Sequence, residues 1–279
     1  MCFDPDAVPP DPPGGAAPVT GTPVTLTSSD GTRFAAFRAV APQPRHAGVR
    51  TAVVILPDIR GLIGFYERLA ERFAGVGIDA IVLDYFGRTA GPGERSDGRP
   101  LRGEDFDFRA HIAQTTPEGI AADTTAALTH LEEHLQQHRD ADSGGQVQVR
   151  AFLLGFCFGG SNAFLQASRT EFAGVIGFYA GMRPRVEGGP TPISRAPEAK
   201  VPVLGLFGGA DASIPAEQVQ QFAAALATSG VEHTLHTYPG APHSFFDRAY
   251  ADYAEECADA WRRVLEFIDR RVDVMESAK

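Results

Sequence analysis

Cysteine is scarce in this chain: three among 279 residues, Cys2, Cys157 and Cys257. They stand far apart, with no metal-ligand spacing and no disulfide framework, a usage that suits a reducing cytoplasm. Long apolar runs are also missing. None reaches the roughly 18 residues of a membrane-spanning helix, and the N-terminus lacks the apolar core of a signal peptide, so a cytoplasmic protein with no membrane association is expected. The sequence has no internal repeat. No G-x-G-x-x-G or P-loop follows a strand-like run, and neither a metal nor an organic cofactor is implied. Positive charge is in deficit, with 25 Lys and Arg against 35 Asp and Glu, a net charge of −10. That balance counts against nucleic acid or an anionic membrane as partner. It also means that a small anionic substrate would need local positive charge in its pocket.

What is present is a chain long enough to fold around its own core. Residues 1–22 are rich in Pro, Gly, Asp and Ala and read as a disordered or extended arm. Residues 23–279 read as a single domain. Residues 24–26 and 34–40 flank an Asp30-Gly31 turn signal and predict an antiparallel hairpin at a sheet edge. From residue 51 the pattern alternates. Strands are expected at 51–56, 78–83, 147–154, 175–179, 201–207 and 231–238. Helices are expected at 66–74, 117–138, 160–168, 216–229 and 250–272. The arginine-rich stretch 87–116 reads as a rim or lid, and 181–200 as a second long loop. Alternation of this kind implies right-handed crossovers and a mostly parallel sheet of about seven to eight strands with helices on both faces. Ligands in such sheets bind beyond the carboxyl ends of the strands.

One stretch organises the rest: VRAFLLGFCFGGS, residues 149–161. A buried strand runs into Gly155-Phe156-Cys157-Phe158-Gly159 and then into a helix. G-x-C-x-G is the nucleophile-elbow pattern of α/β-hydrolases with cysteine in place of the usual serine. The central residue of such an elbow is strained, and side chains at its glycines would collide. The sulfur of Cys157 would stand at a helix N-terminus, where free N–H groups favour thiolate and oxyanion. Two other residues sit in loops after strand ends: Asp211 in GGADASIP and His243 in PGAPHSFF. The order nucleophile, acid, histidine is that of the α/β-hydrolase fold. Asp211 would fix the imidazole tautomer, and His243 would pair with the thiol, protonate the leaving group and activate water. The oxyanion hole would use the N–H of Phe158 and that of Ile59. His130, His134 and His138 share one helix at i, i+4 spacing and read as a solvated face, not as a metal site.

The segments ILPDIRGL (55–62), LDYFGR (83–88), LLGFCFGG (153–160), LFGGADASIP (206–215) and YPGAPHSFF (238–246) together resemble the dienelactone hydrolase family. The resemblance implies a triad of Cys157, Asp211 and His243. It implies carboxymethylenebutenolidase-type opening of a small anionic enol-lactone through a thioester acyl-enzyme, within aromatic-compound degradation. It also implies a carboxylate after the central strand that acts on the cysteine proton; Asp58 holds that position, one methylene shorter than the family's usual glutamate. Of the two arginines that hold a substrate carboxylate in the family, Arg88 matches the first, with Tyr85 beside it. Asp247 stands where the second is expected, and Arg60 or Arg248 would have to replace it. Two alternatives stand beside this reading. One is a general carboxylesterase with no carboxylate requirement. The other is a non-catalytic scaffold that binds a ligand or senses oxidation through Cys157.

Overall fold

The computed structural model describes residues 7–93, 102, 106–138, 147–247 and 249–276. Eight strands form one sheet in the order β1-β2-β4-β3-β5-β6-β7-β8. They are β1 (Thr22–Thr27), β2 (Arg33–Ala39), β3 (Arg50–Leu56), β4 (Asp79–Leu83), β5 (Val149–Phe156), β6 (Gly174–Phe178), β7 (Val203–Gly208) and β8 (His233–Tyr238). The hairpin β1–β2 and the pair β2–β4 are antiparallel. The pairs β3–β4, β5–β6, β6–β7 and β7–β8 are parallel. The expected α/β-hydrolase architecture is therefore present, a mostly parallel sheet of eight strands with connecting helices. The β-branched runs AVVIL in β3 and AIVL in β4 are buried throughout, as strands covered on both faces require. By contrast β1, at the sheet edge, buries a single residue, Leu26.

The chain packs as two compact units, one of residues 15–55 and 59–151, the other of residues 7–14, 56–58 and those from 152 on. In the first, α1 (Gly64–Gly75) buries Phe65, Tyr66, Leu69, Ala70, Phe73 and Ala74 on one stripe. Helix α4 (Pro117–Gln137) starts where the sequence places it. Thr116 caps it by accepting the Gly119 N–H at 3.0 Å, and Pro117 takes the first turn, where no N–H is needed. The expected loop 87–116 contains two short helices, α2 (Gly87–Ala90) and α3 (Phe108–Ile112). Its described residues include Phe106, which stacks on His111 at 4.8 Å and packs against Phe86 at 5.1 Å.

In the second unit, α5 (Phe158–Phe164) leaves β5, and α7 (Ala216–Ser229) ends at Gly230, whose φ of 75° closes the helix in the left-handed region. The loop 181–200 carries α6 (Pro192–Arg195), capped reciprocally by Thr191 and Ser194, and a 3-10 turn over Ala196–Glu198. Helix α8 (Ala254–Glu276) buries Trp261, Val264, Phe267 and Ile268. The N-terminal arm forms no helix or strand between residues 7 and 21, in keeping with the extended form expected, but it is tied down. Pro10 O accepts the Trp261 indole N–H at 3.0 Å. Ala17 N donates to Gly75 O, and Gly21 N to Glu71 Oε1, both at 3.0 Å.

Replacing Trp261 by Phe leaves the buried Pro10 carbonyl without its donor, a loss of about 1–3 kcal/mol. The expected result is faster proteolytic cleavage within residues 7–14, read by mass spectrometry.

Candidate active site

The elbow is built as its glycines require. Cys157 links β5 to α5 with φ 51° and ψ −110°, a left-handed conformation that costs a non-glycine residue roughly 1–3 kcal/mol. A Cβ on Gly155 would collide with the Gly159 carbonyl, and one on Gly159 with the carbonyls of Leu56 and Pro57. Strand β5 therefore meets α5 backbone to backbone, and the end of β3 closes on the same point. The Cys157 N–H donates to Phe178 O at 2.9 Å, and its carbonyl accepts Ser161 N at 3.0 Å. Phe158 opens α5, so its N–H belongs to the first turn, where the helix supplies no acceptor of its own.

Glycines also bring the acid and the histidine together. A Cβ on Gly208 would strike the carbonyls of Ala241 and Pro242, and one on Gly209 that of Pro239. The two loops are laced by Gly209 N to Tyr238 O at 2.7 Å and Ala210 N to Ala241 O at 3.0 Å. Asp211 Oδ2 then sits 2.6 Å from His243 Nδ1. The other oxygen, Oδ1, accepts Ser213 N at 2.8 Å and Ser213 Oγ at 2.6 Å. Burial would raise the Asp211 pKa, but the bonds from His243 and Ser213 hold it below its ordinary value. The Cys157 side chain acts on His243 as a second polar partner beside Asp211. With Nδ1 committed to the carboxylate, Nε2 is the nitrogen left for the sulfur. Burial of the imidazole disfavours its charge, yet the two partners outweigh burial and raise its pKa to about 10. Carboxylate, imidazole and sulfur thus form one relay, with an imidazole suited to carry a proton.

The remaining sequence candidates fall differently. Asp58 is buried directly after the Leu56 and Pro57 carbonyls that abut Gly159. Ile59 follows it in a turn and is half-buried. Tyr85 and Arg60 are both buried, 1% and 7% exposed. Arg248 and Cys2 lie outside the described residues. Arg88 is occupied. Its Nε and Nη2 bind Asp123 at 3.2 and 2.7 Å, Nη2 also donates to Gly119 O at 3.2 Å, and Nη1 binds Asp30 and Thr32 Oγ1. A guanidinium has five N–H donors, and these five bonds use them all.

Cys257 is buried, and burial, then Glu256, pushes its thiol up to about 12. Among the histidines of α4, His130 Nε2 lies 2.9 Å from Arg38 Nη1, and the rings of His134 and His138 are 4.0 Å apart. Burial, then the charge of Arg38, lowers His134 to about 4. Among the described residues no group of His, Cys, Asp and Glu is arranged to hold a metal ion.

The sequence reading missed three residues. Ser213 orients Asp211, and the D-x-S spacing, typical of turns in which a carboxylate caps the backbone two residues on, was its available signal. Tyr179 packs its ring 5.0 Å from the His243 ring, centroid to centroid. The exposed Arg185 places its guanidinium carbon 4.3 Å from the centroid of the Phe158 ring. Nothing local in the sequence marks either of the last two.

Residues 37–272 match the model of the dienelactone hydrolase family. A protein of Synechocystis sp. named "Putative carboxymethylenebutenolidase" is 30% identical over 226 residues, 80% of this chain and 87% of that protein. A crystal structure titled "Putative Dienelactone Hydrolase" from Klebsiella pneumoniae superposes with TM-score 0.66 at 25% identity, over 89% of this chain and 99% of that one. An acylaminoacyl peptidase shares the fold at 15% identity and TM-score 0.65, over 90% of this chain but 41% of its own.

Two outcomes follow. Arg88→Ala strands the carboxylate of Asp123, 1% exposed, and is expected to lower stability by roughly 2–4 kcal/mol in urea denaturation. The His243 imidazolium is the favoured form up to about pH 10, against an unfolded value near 6.5. Its stabilising contribution is therefore complete below pH 6.5 and lost as pH rises through 10. The stability gap between the parent and His243→Gln should be wide at pH 6 and narrow above pH 10.

Proposed function

Because the chain belongs to the dienelactone hydrolase family, and is thus a hydrolase acting on ester or lactone bonds of small molecules, we propose that it works through Cys157 as nucleophile. The observation that carries this reading is the relay Asp211–His243–Cys157 at a strained elbow. The thiolate attacks the carbonyl carbon, and the carbonyl electron pair moves onto oxygen. The N–H of Phe158 meets that oxyanion, and Ile59, the next residue after Asp58, is the expected second donor. Collapse of the intermediate expels the alcohol or enol oxygen, which takes its proton from His243. The neutral imidazole then draws a proton from water, and hydroxide attack on the thioester releases the acid and restores the thiolate. Asp58, buried at the end of β3, is assigned to the proton of the resting thiol.

A small anionic enol-lactone of the dienelactone type is the substrate class that the family favours, in a cytoplasmic enzyme of aromatic-compound breakdown. Among the described residues no helix is long and apolar enough to cross a membrane. A second reading, a general carboxylesterase, is favoured by one observation: every donor of Arg88 is already engaged.

The test uses p-nitrophenyl acetate and a dienelactone side by side. Cys157→Ala should abolish turnover of both, by about 10⁴-fold or more, with the circular dichroism unchanged. Turnover that survives would remove Cys157 from the mechanism. Preference for the dienelactone supports the first reading, and equal efficiency on both supports the second.

A further inference from the structure

Among the described residues three non-glycines have positive φ: Cys157 at 51°, Tyr179 at 36° and Ser244 at 59°. The elbow explains the first, and the turn that follows His243 explains the third. Nothing in the chemistry above uses the second. An aromatic residue in this region is an outlier, and it persists only where its surroundings over-determine it. Tyr179 is fully buried and directly follows β6. The residue before it, Phe178, accepts the Cys157 N–H at 2.9 Å. Its own N–H donates at 2.7 Å to Leu206 O of β7, the strand that leads to Asp211. The backbone of Tyr179 is thus pinned between the segments that carry nucleophile and acid. Its ring lies against the imidazole, 5.0 Å between centroids with the planes 58° apart. Phe156 and Phe245 flank it at 6.1 and 5.8 Å.

An imidazole held at Nδ1 alone can pivot about that one bond and carry Nε2 away from the sulfur. A buried ring against it removes this freedom. We infer that Tyr179 is a positioning residue, its strained backbone aiming an aromatic ring that keeps the His243 imidazole in line between Asp211 and Cys157. The inference deepens the thiol mechanism above and rests on it.

The test compares Tyr179→Phe, Tyr179→Ala and Tyr179→Gly. The Phe variant keeps the ring. Ala and Gly both lose it, but Gly tolerates the positive φ and should fold more stably than Ala. For p-nitrophenyl acetate, the expected kcat is within about threefold of the parent in the Phe variant and lower by about 100-fold in both others, with KM changed far less. In protein labelled with ¹⁵N-histidine, the NMR titration midpoint of His243 should stay near 10 in the parent and in the Phe variant. In Ala and Gly, with Nε2 turned away from the sulfur, it should fall. The inference is overturned if Phe loses as much as Ala, if Gly regains activity in step with its stability, or if the midpoint does not move. Should neither small variant fold, Tyr179→Leu, which keeps bulk without a planar ring, is held to the same loss and the same fall in midpoint. Turnover by the parent that ignores Cys157→Ala would sink the mechanism instead, and the NMR midpoint would still judge whether the ring holds the imidazole.

Discussion

Everything at the candidate site depends on places where two backbones touch because no side chain separates them. Gly155 lies against Gly159, Gly159 against the carbonyls of Leu56 and Pro57, and Gly208 and Gly209 against the loop 239–242. These contacts set the distances among three separate loops with no flexible part between them. A hydrogen bond such as Asp211–His243 can form at 2.6 Å only if the chains bearing it already lie at the right spacing. In this chain, close packing supplies that spacing, and the polar contacts then select the rotamers.

The electrostatics follow from the packing. A buried carboxylate beside a half-buried imidazole would be costly if it stood alone. Here each partner answers the other. Ser213 satisfies one oxygen of Asp211 while His243 takes the second. Asp211 and the Cys157 side chain together favour the protonated form of the ring. Cys257 shows the contrast, since a thiol buried without a cationic partner is driven toward its neutral form. Two cysteines of one chain thus differ by environment, and only one of them meets an imidazole.

Much of this was legible in the sequence, because the signals were local. The elbow glycines, the β-branched strands, the Pro117 start of α4 and the bounds of α7 all depend on residues within a few positions of one another. The pairing of Asp211 with His243 was legible through order and loop placement. What stayed hidden depended on distant partners. The motif LDYFGR identifies Arg88 but not its neighbours, and Asp123 and Asp30 lie 35 and 58 positions away in the chain. Tyr179 reads as the end of an apolar strand, and its aim at His243 follows from a backbone angle that no residue type announces. The pattern of α4 likewise did not announce that His130 meets Arg38, 92 positions away.

The groups proposed for acyl transfer and the arginine proposed for charge recognition belong to different parts of the chain. Every described group of the relay, with its supports Ser213 and Tyr179, belongs to one compact unit built from the carboxyl-terminal strands. Arg88 belongs to the other unit, where it ties the β1–β2 turn to α4 through Asp30, Thr32 and Asp123. Freeing it for a ligand would strand a buried aspartate, so that ion pair has become part of the fold. Family membership fixes the kind of bond that is cleaved, whereas the arginine that the family pattern offers for substrate charge has other partners within the protein.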